Sequence, residues 1–71
     1  MSWTLKINGT PQTFEPSEQP ATLADLLKQL QMDKAAVVAE VDGQVVPREH
    51  FAQTVLRDGQ SIELIRFVGG G

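Results

Sequence analysis

Residues 22–30 of the chain read TLADLLKQL, and this stretch decides which kind of fold the sequence can form. Its leucines fall at i, i+3, i+4 and i+7, so they form one apolar stripe along an amphipathic helix. Thr22 is a typical helix N-cap, and Asp25 occupies the position where a capping box places its side-chain acceptor. A single helix with one apolar face needs a second layer against which to bury it.

The sequence before this helix predicts a β-hairpin. Residues 3–7 alternate apolar and polar side chains, the period of two expected of a half-buried strand. Asn8-Gly9 is a strong hairpin signal, because both positions of a two-residue turn need positive φ. We expect the return strand at residues 10–14, followed by a polar loop with two prolines at residues 15–20.

The sequence after the helix predicts a second hairpin. Residues 36–41 are apolar and rich in valine, which favours a buried strand. Asp42-Gly43 provides the turn, and residues 44–46 the return strand. Pro47 ends that strand and suits the first turn of a helix.

A short helix over residues 48–54 and a last strand over residues 61–68 complete the pattern, with Asp58-Gly59 as the turn between them. One main helix against one sheet makes a two-layer α+β domain. We expect this domain to span residues 1–68 and a flexible glycine tail to span residues 69–71.

The composition excludes several classes of protein. The chain has 71 residues, a net charge of −3 and a pI of about 4.8, which argues against a nucleic-acid partner. Its start is neither basic nor apolar enough for a signal peptide, and no apolar run approaches the roughly 18 residues of a membrane span. We therefore expect a cytoplasmic protein that binds neither nucleic acid nor membranes.

The residue types argue against stand-alone catalysis. The chain has no cysteine and no tyrosine, and its single histidine, His50, has no Ser/Asp arrangement placed near it by spacing. Asp42-Gly43 and Asp58-Gly59 resemble fragments of ion-binding loops but lack the other ligands. We expect no catalytic residue, no metal site and no bound cofactor.

The last strand divides its side chains between two faces. Ile62, Leu64, Arg66 and Val68 lie on one face, and Glu63, Ile65 and Phe67 lie on the other. If Ile62 and Leu64 meet the helix, Ile65 and Phe67 point to a face that no long helix covers. They then form an exposed patch for a partner, unless loops or the short helix shield them.

Gly69, Gly70 and Gly71 follow this strand directly. Glycine has no Cβ, so such a tail is narrow enough to enter an enzyme pocket with a carboxylate at its tip. Glycine runs also form plain flexible linkers. The three letters alone leave both interpretations open.

Several short motifs together point to a family. They are Ile7-Asn8-Gly9, the helix at residues 22–30, Val46-Pro47-Arg48-Glu49, Asp58-Gly59 and Val68-Gly69-Gly70-Gly71. In these positions, over essentially the whole chain, they resemble the ThiS family of sulfur carrier proteins in thiamine thiazole biosynthesis. The resemblance implies a ubiquitin-like β-grasp fold, in which the first and last strands pair in parallel at the centre of a mixed sheet.

The resemblance also implies a function. In this family a partner enzyme uses ATP and magnesium to adenylate the last glycine, and sulfur from a cysteine desulfurase or another donor then replaces AMP. Thiazole synthase takes the sulfur from the resulting thiocarboxylate. By position, Gly71 is the modified residue and Gly69 and Gly70 present it. Ile65, Phe67 and Val68 are candidate partner contacts. Arg48 and Glu49 are further candidates, although their position at the start of a helix after Pro47 explains them equally well.

Three other readings stay open at this stage. The small subunit of molybdopterin synthase shares the fold and the thiocarboxylate, although its tails usually carry prolines before the glycines. A ubiquitin-like modifier would join Gly71 to lysines of other proteins. A β-grasp interaction module would carry an inert tail.

Overall fold

The computed structural model describes residues 1–67, which form one five-stranded sheet with an α-helix on one face. The strands are β1 (Trp3–Ile7), β2 (Thr10–Phe14), β3 (Ala36–Val41), β4 (Gln44–Val46) and β5 (Ser61–Phe67). The α-helix, α1, spans Leu23–Gln29, and 3₁₀ segments span Pro16–Glu18 and Arg48–Gln53. Every predicted strand and helix is present, and the 3₁₀ turn at Pro16–Glu18 lies where only a loop was expected.

The strand order is β2-β1-β5-β3-β4, which places the last strand at the centre of the sheet. β1 and β5 run parallel, with Lys6 opposite Ser61 and Ile7 opposite Ile62. The other pairs of neighbouring strands are antiparallel. The mixed sheet with parallel first and last strands is therefore confirmed.

Both hairpin turns have the backbone that their sequences predict. Asn8 and Gly9 have φ values of 50° and 82°, and Asp42 and Gly43 have 50° and 85°. Two consecutive residues with positive φ define the turn whose twist matches that of the flanking strands. Asn-Gly and Asp-Gly adopt this conformation at low cost, so both hairpins are specified locally.

The helix begins at the predicted cap. The hydroxyl of Thr22 accepts a hydrogen bond from the Asp25 N–H at 3.2 Å, and the Asp25 carboxylate accepts one from the Thr22 N–H, also at 3.2 Å. This reciprocal pair is the predicted capping box, and it satisfies two backbone donors that the first helical turn leaves free. Leu30 is the C-cap residue.

The core lies between α1 and one face of the sheet. Its buried side chains are Leu5, Ile7, Phe14, Leu23, Leu26, Leu27, Val37, Ala39, Val41, Phe51, Leu56, Ile62 and Leu64. The predicted leucine stripe is confirmed for the first three leucines, whereas Leu30, at the helix end, is only partly buried.

The prediction that residues 36–41 form a buried strand is only half right. Val37, Ala39 and Val41 are buried, but Ala36 is exposed and Val38 and Glu40 are half-buried. The helix covers one face of the sheet, so only every second residue of β3 is enclosed. We call the face turned away from α1 the outer face.

Replacement of Leu26 by alanine should strongly destabilise the domain. Its side chain is fully buried at the centre of the core, and such truncations cost about 2–5 kcal/mol. Lys28→Ala, an exposed change on the same helix, should alter the free energy of unfolding by less than about 0.5 kcal/mol. Urea denaturation of both variants measures these changes, and equal losses in the free energy of unfolding would contradict the burial of Leu26 in the core.

Candidate functional site

Ile65 and Phe67 are exposed on the outer face of β5. Ile62 and Leu64 are 0% and 5% exposed, whereas Ile65 and Phe67 are 52% and 55% exposed. The predicted division of the strand is confirmed for residues 62–65 and for Phe67, whereas Arg66, which shares the face of Leu64, is exposed. The alternative that loops or the short helix shield Ile65 and Phe67 is wrong. Phe67 thus leaves a large apolar surface in water.

The register of β3 extends this apolar surface. Ala36 lies opposite Phe67, and Val38 lies opposite Ile65. Directly opposed residues share one face of a sheet, so these four side chains form one cluster, which we call the terminal patch. The next pair along the strands is Glu40 opposite Glu63, which gives the patch an acidic border.

Arg48 and Glu49 are both exposed, at the start of the 3₁₀ helix. The Arg48 guanidinium donates a hydrogen bond from Nη1 to the Ala35 carbonyl at 3.1 Å. Ala35 directly precedes Ala36, which lies opposite Phe67. Arg48 therefore connects the 3₁₀ helix to the start of β3, beside the end of β5.

Arg48 and Glu49 also line a shallow, mainly apolar cleft of 210 Å³ with Leu27, Met32 and Phe51. This cleft lies between α1 and the 3₁₀ helix, on the helix side of the domain. The terminal patch lies on the outer face. Arg48 thus makes a local hydrogen bond, and both residues line the cleft and not the terminal patch. Their role as partner contacts stays a prediction.

Three turn residues make side-chain hydrogen bonds that position β5, a role that the sequence patterns did not predict. Asn8 and Asp42 bond to β5 itself, and Asp58 ties the turn before β5 to β1. Asn8 Oδ1 accepts a hydrogen bond from the Leu64 N–H at 2.7 Å. Asp42 Oδ1 accepts one from the Ser61 N–H at 2.9 Å. Asp58 Oδ1 accepts one from the Thr4 N–H at 2.7 Å.

The contacts of Asn8 and Asp58 lengthen the short parallel pairing of β1 with β5. The register of β1 and β5 contains only two residue pairs. At its far end the Asn8 N–H donates to the Ile62 carbonyl at 2.8 Å, and the Asn8 side chain then replaces the next backbone partner for Leu64. Through its backbone N–H and its side-chain oxygen, Asn8 thus fixes the position of β5 a few residues before Phe67.

Val68, the predicted last residue of the strand, and the predicted tail residues Gly69, Gly70 and Gly71 lie outside the described residues. β5 leads directly to them in sequence. Within residues 1–67, no three side chains of His, Asp or Glu come together as a metal site. His50 is exposed on the 3₁₀ helix.

One helix packed across a mixed sheet, with parallel first and last strands at its centre, defines a ubiquitin-like β-grasp domain. The ThiS family model matches residues 5–71. The chain therefore belongs to the ThiS family.

Known relatives agree with this assignment. A crystal structure of the thiamine biosynthesis protein ThiS from Geobacter metallireducens is 34% identical, with a TM-score of 0.78, and the match covers 96% of this chain and 99% of that one. Sulfur carrier protein ThiS of Escherichia coli is 38% identical over 70% of this chain and 76% of its own length.

A longer relative also matches. A thiazole synthase from Paramagnetospirillum magneticum is 36% identical over 94% of this chain. The chain spans only 20% of the length of that relative. A segment similar to this chain is thus part of a larger protein named thiazole synthase.

Loss of the Asn8 side chain should weaken the attachment of β5. Asn8→Gly keeps a residue that tolerates positive φ but removes the acceptor for Leu64, so we expect a loss of about 1–2 kcal/mol in the free energy of unfolding. Asn8→Asp keeps an oxygen acceptor and should lose less. Chemical denaturation measures both, and amide exchange at Leu64 should accelerate in Asn8→Gly alone. An unchanged Leu64 exchange rate in that variant would contradict this role of Asn8.

Proposed function

We propose that this chain is a sulfur carrier in the synthesis of the thiazole ring of thiamine, with Gly71 as the residue that carries the sulfur. The observation that carries the proposal is the structure of β5. This strand is anchored at the centre of the sheet, exposes Ile65 and Phe67, and is followed in sequence by Val68 and then Gly69-Gly70-Gly71. Membership of the ThiS family and the relatives named sulfur carrier protein ThiS support it.

The chemistry begins with activation of a poor electrophile. A partner enzyme with ATP and magnesium joins a carboxylate oxygen of Gly71 to the α-phosphorus of ATP, and pyrophosphate leaves. A sulfur nucleophile, hydrosulfide in its simplest form, then attacks the carbonyl carbon, and AMP leaves with the C–O electron pair. The product is a thiocarboxylate, and division into two activated steps is the usual advantage of covalent catalysis.

In this scheme the chain is a co-substrate of its partners and not an enzyme. The sequence contains no cysteine, so Gly71 is its only plausible point of sulfur attachment. A cysteine desulfurase or another donor supplies the sulfur. Thiazole synthase is the proposed acceptor, which the similarity to part of a protein of that name supports.

The terminal patch is the proposed docking surface for the adenylating enzyme. Apolar side chains that are buried at the centre of an interface carry most of its binding energy. Because the patch and the glycines belong to one continuous segment, an enzyme that holds Phe67 also sets the direction from which the tail arrives. We place these encounters in the cytoplasm, and no helix in residues 1–67 is long and apolar enough to cross a membrane.

The carrier chemistry predicts a specific change in mass at Gly71. Incubation with the cognate adenylating enzyme, ATP, magnesium and sulfide should replace one oxygen by sulfur, as read by intact mass spectrometry and by tandem spectra of the last peptide. A variant with one alanine added after Gly71 should stay unmodified, because its last residue no longer meets the activating site. Sulfur on the extended protein, without removal of the alanine, would overturn the assignment. If the chain instead became joined to larger proteins through Gly71, that result would identify it as a ubiquitin-like modifier.

The docking role of the terminal patch predicts that Phe67→Glu weakens binding to the adenylating enzyme more than tenfold, since about 1.4 kcal/mol already corresponds to tenfold. The melting temperature of the free protein should hardly change, because Phe67 is exposed. Val55→Glu is the matched control, since Val55 is 64% exposed but does not belong to β5. A binding titration and a melting curve for each variant decide the matter. Equal affinity for Phe67→Glu and the unmodified chain would rule out the patch as the docking surface.

A further inference from the structure

The outer edge of β2 is protected against pairing with another strand. The even-numbered residues of β1 face β5, because the Lys6 N–H donates to the Gln60 carbonyl at 3.0 Å and the Asn8 N–H to the Ile62 carbonyl. The odd-numbered residues of β1 therefore bond to β2, where Ile7 lies opposite Thr10. By the same alternation Pro11 directs its backbone nitrogen outward, and proline has no N–H to offer.

The opposite edge of the sheet is protected in a second way. β4 contains only three residues, Gln44–Val46. Gln44 lies opposite Val41 across the two-residue turn, so these two residues bond to one another and only Val45 faces outward. Pro47 follows immediately. Short edge strands and prolines are the usual means by which proteins prevent edge-to-edge association.

A third stretch of sheet edge lies at the end of β5, beyond the last residue of β1. It is protected neither by a proline nor by a short edge strand. The Leu64 N–H points toward β1 and bonds to the Asn8 side chain, and β1 ends at Ile7. Two residues further along β5, the backbone N–H and carbonyl of Arg66 point in the same direction as those of Leu64. Within residues 1–67 the structure shows no hydrogen-bond partner for the Leu64 carbonyl, the Arg66 N–H or the Arg66 carbonyl. On its other side β5 stays paired with β3 as far as Phe67.

We propose that this open edge, Leu64–Arg66, is a pairing site for an extended segment of the adenylating enzyme, which adds a strand to the sheet beside β5. The inference rests on the proposed function, since it describes how the adenylating enzyme binds its carrier. Strand addition supplies affinity through main-chain hydrogen bonds and specificity through alternate side chains. It adds to the terminal patch, because Ile65 and Phe67 lie on the outer face while the backbone of Arg66 lies at the edge.

The charge of Arg66 determines which kind of strand can pair with this edge. In an antiparallel pair of two copies of this edge, Arg66 is the residue that can exchange both backbone hydrogen bonds, because the Leu64 N–H is already bonded to Asn8. Such pairing places Arg66 opposite Arg66, and directly opposed like charges destabilise a sheet. A segment of another protein with a carboxylate opposite Arg66 removes that penalty and gains a charge-assisted contact. The site therefore fits an acidic strand of the enzyme and not a second copy of this chain.

A backbone modification tests the proposal without changing any side chain. Total chemical synthesis provides the full chain with N-methyl-arginine at Arg66, which removes the outward N–H and blocks close approach of a strand. The N–H groups that bond to β3 belong to the odd-numbered residues of β5 and stay intact. N-methyl-valine at Val45 is the matched control, since it removes an outward N–H from the other edge.

We expect N-methylation at Arg66 to weaken binding to the adenylating enzyme at least tenfold and N-methylation at Val45 to leave it unchanged. Arg66→Ala should lose less, because it keeps the N–H and removes only the charge. Equal affinities for the chain N-methylated at Arg66 and the unmodified chain would overturn the proposal. Melting curves of the free proteins show whether each variant is folded.

Amide hydrogen exchange of the unmodified chain provides a second test of strand addition, and this test needs no variant. In the complex the Arg66 amide should exchange at least tenfold more slowly than in the free protein, while the Val45 amide should not change. An Arg66 amide that exchanges at its free rate in the saturated complex rules out strand addition. A chain that acquires sulfur normally but shows no protection at Arg66 refutes this inference alone, whereas a chain that never acquires sulfur refutes the proposed function.

Discussion

The insertion of β5 between β1 and β3 is the interaction on which the rest of the molecule depends. Without it the two hairpins share no backbone contact in the sheet, and isolated hairpins are at best marginally stable. The parallel side of this insertion is short, and the side chains of Asn8 and Asp58 extend it at its two ends. The turns therefore do more than reverse the chain, since they also fasten its central strand.

The same strand keeps the side chains that stabilise the domain apart from those of the proposed docking surface. Its inward side chains, Ile62 and Leu64, belong to the core, and its outward side chains, Ile65 and Phe67, form half of the terminal patch. Its backbone is paired on both sides up to Leu64 and on one side thereafter. Substitutions on the outer face should therefore leave the domain folded, because the two sets of side chains occupy opposite faces.

Local patterns predicted most of this fold. Asn8-Gly9 and Asp42-Gly43 defined both hairpins, and Thr22 with Asp25 defined the start of the helix, because each signal depends on residues close in sequence. The alternation of β5 predicted which side chains are exposed. The open face of β3 was missed, since an apolar run cannot show how many faces of a sheet are covered.

The contacts that anchor the candidate site could not be predicted in this way. Asn8 and Leu64 are 56 positions apart, and only the assembled sheet brings the amide oxygen to that N–H. The contact of Arg48 with Ala35 depends in the same way on tertiary packing. The roles of Gly69, Gly70 and Gly71 rest on sequence and family, because those residues lie outside the part of the chain that the structure describes.

The central position of β5 also has a consequence for biosynthesis. The ribosome makes this strand after all the others, so a nascent chain that lacks residues 61–67 has neither a joined sheet nor a terminal patch. The last strand thus completes both the sheet and the terminal patch, so a prematurely terminated chain would lack the proposed docking surface for the adenylating enzyme.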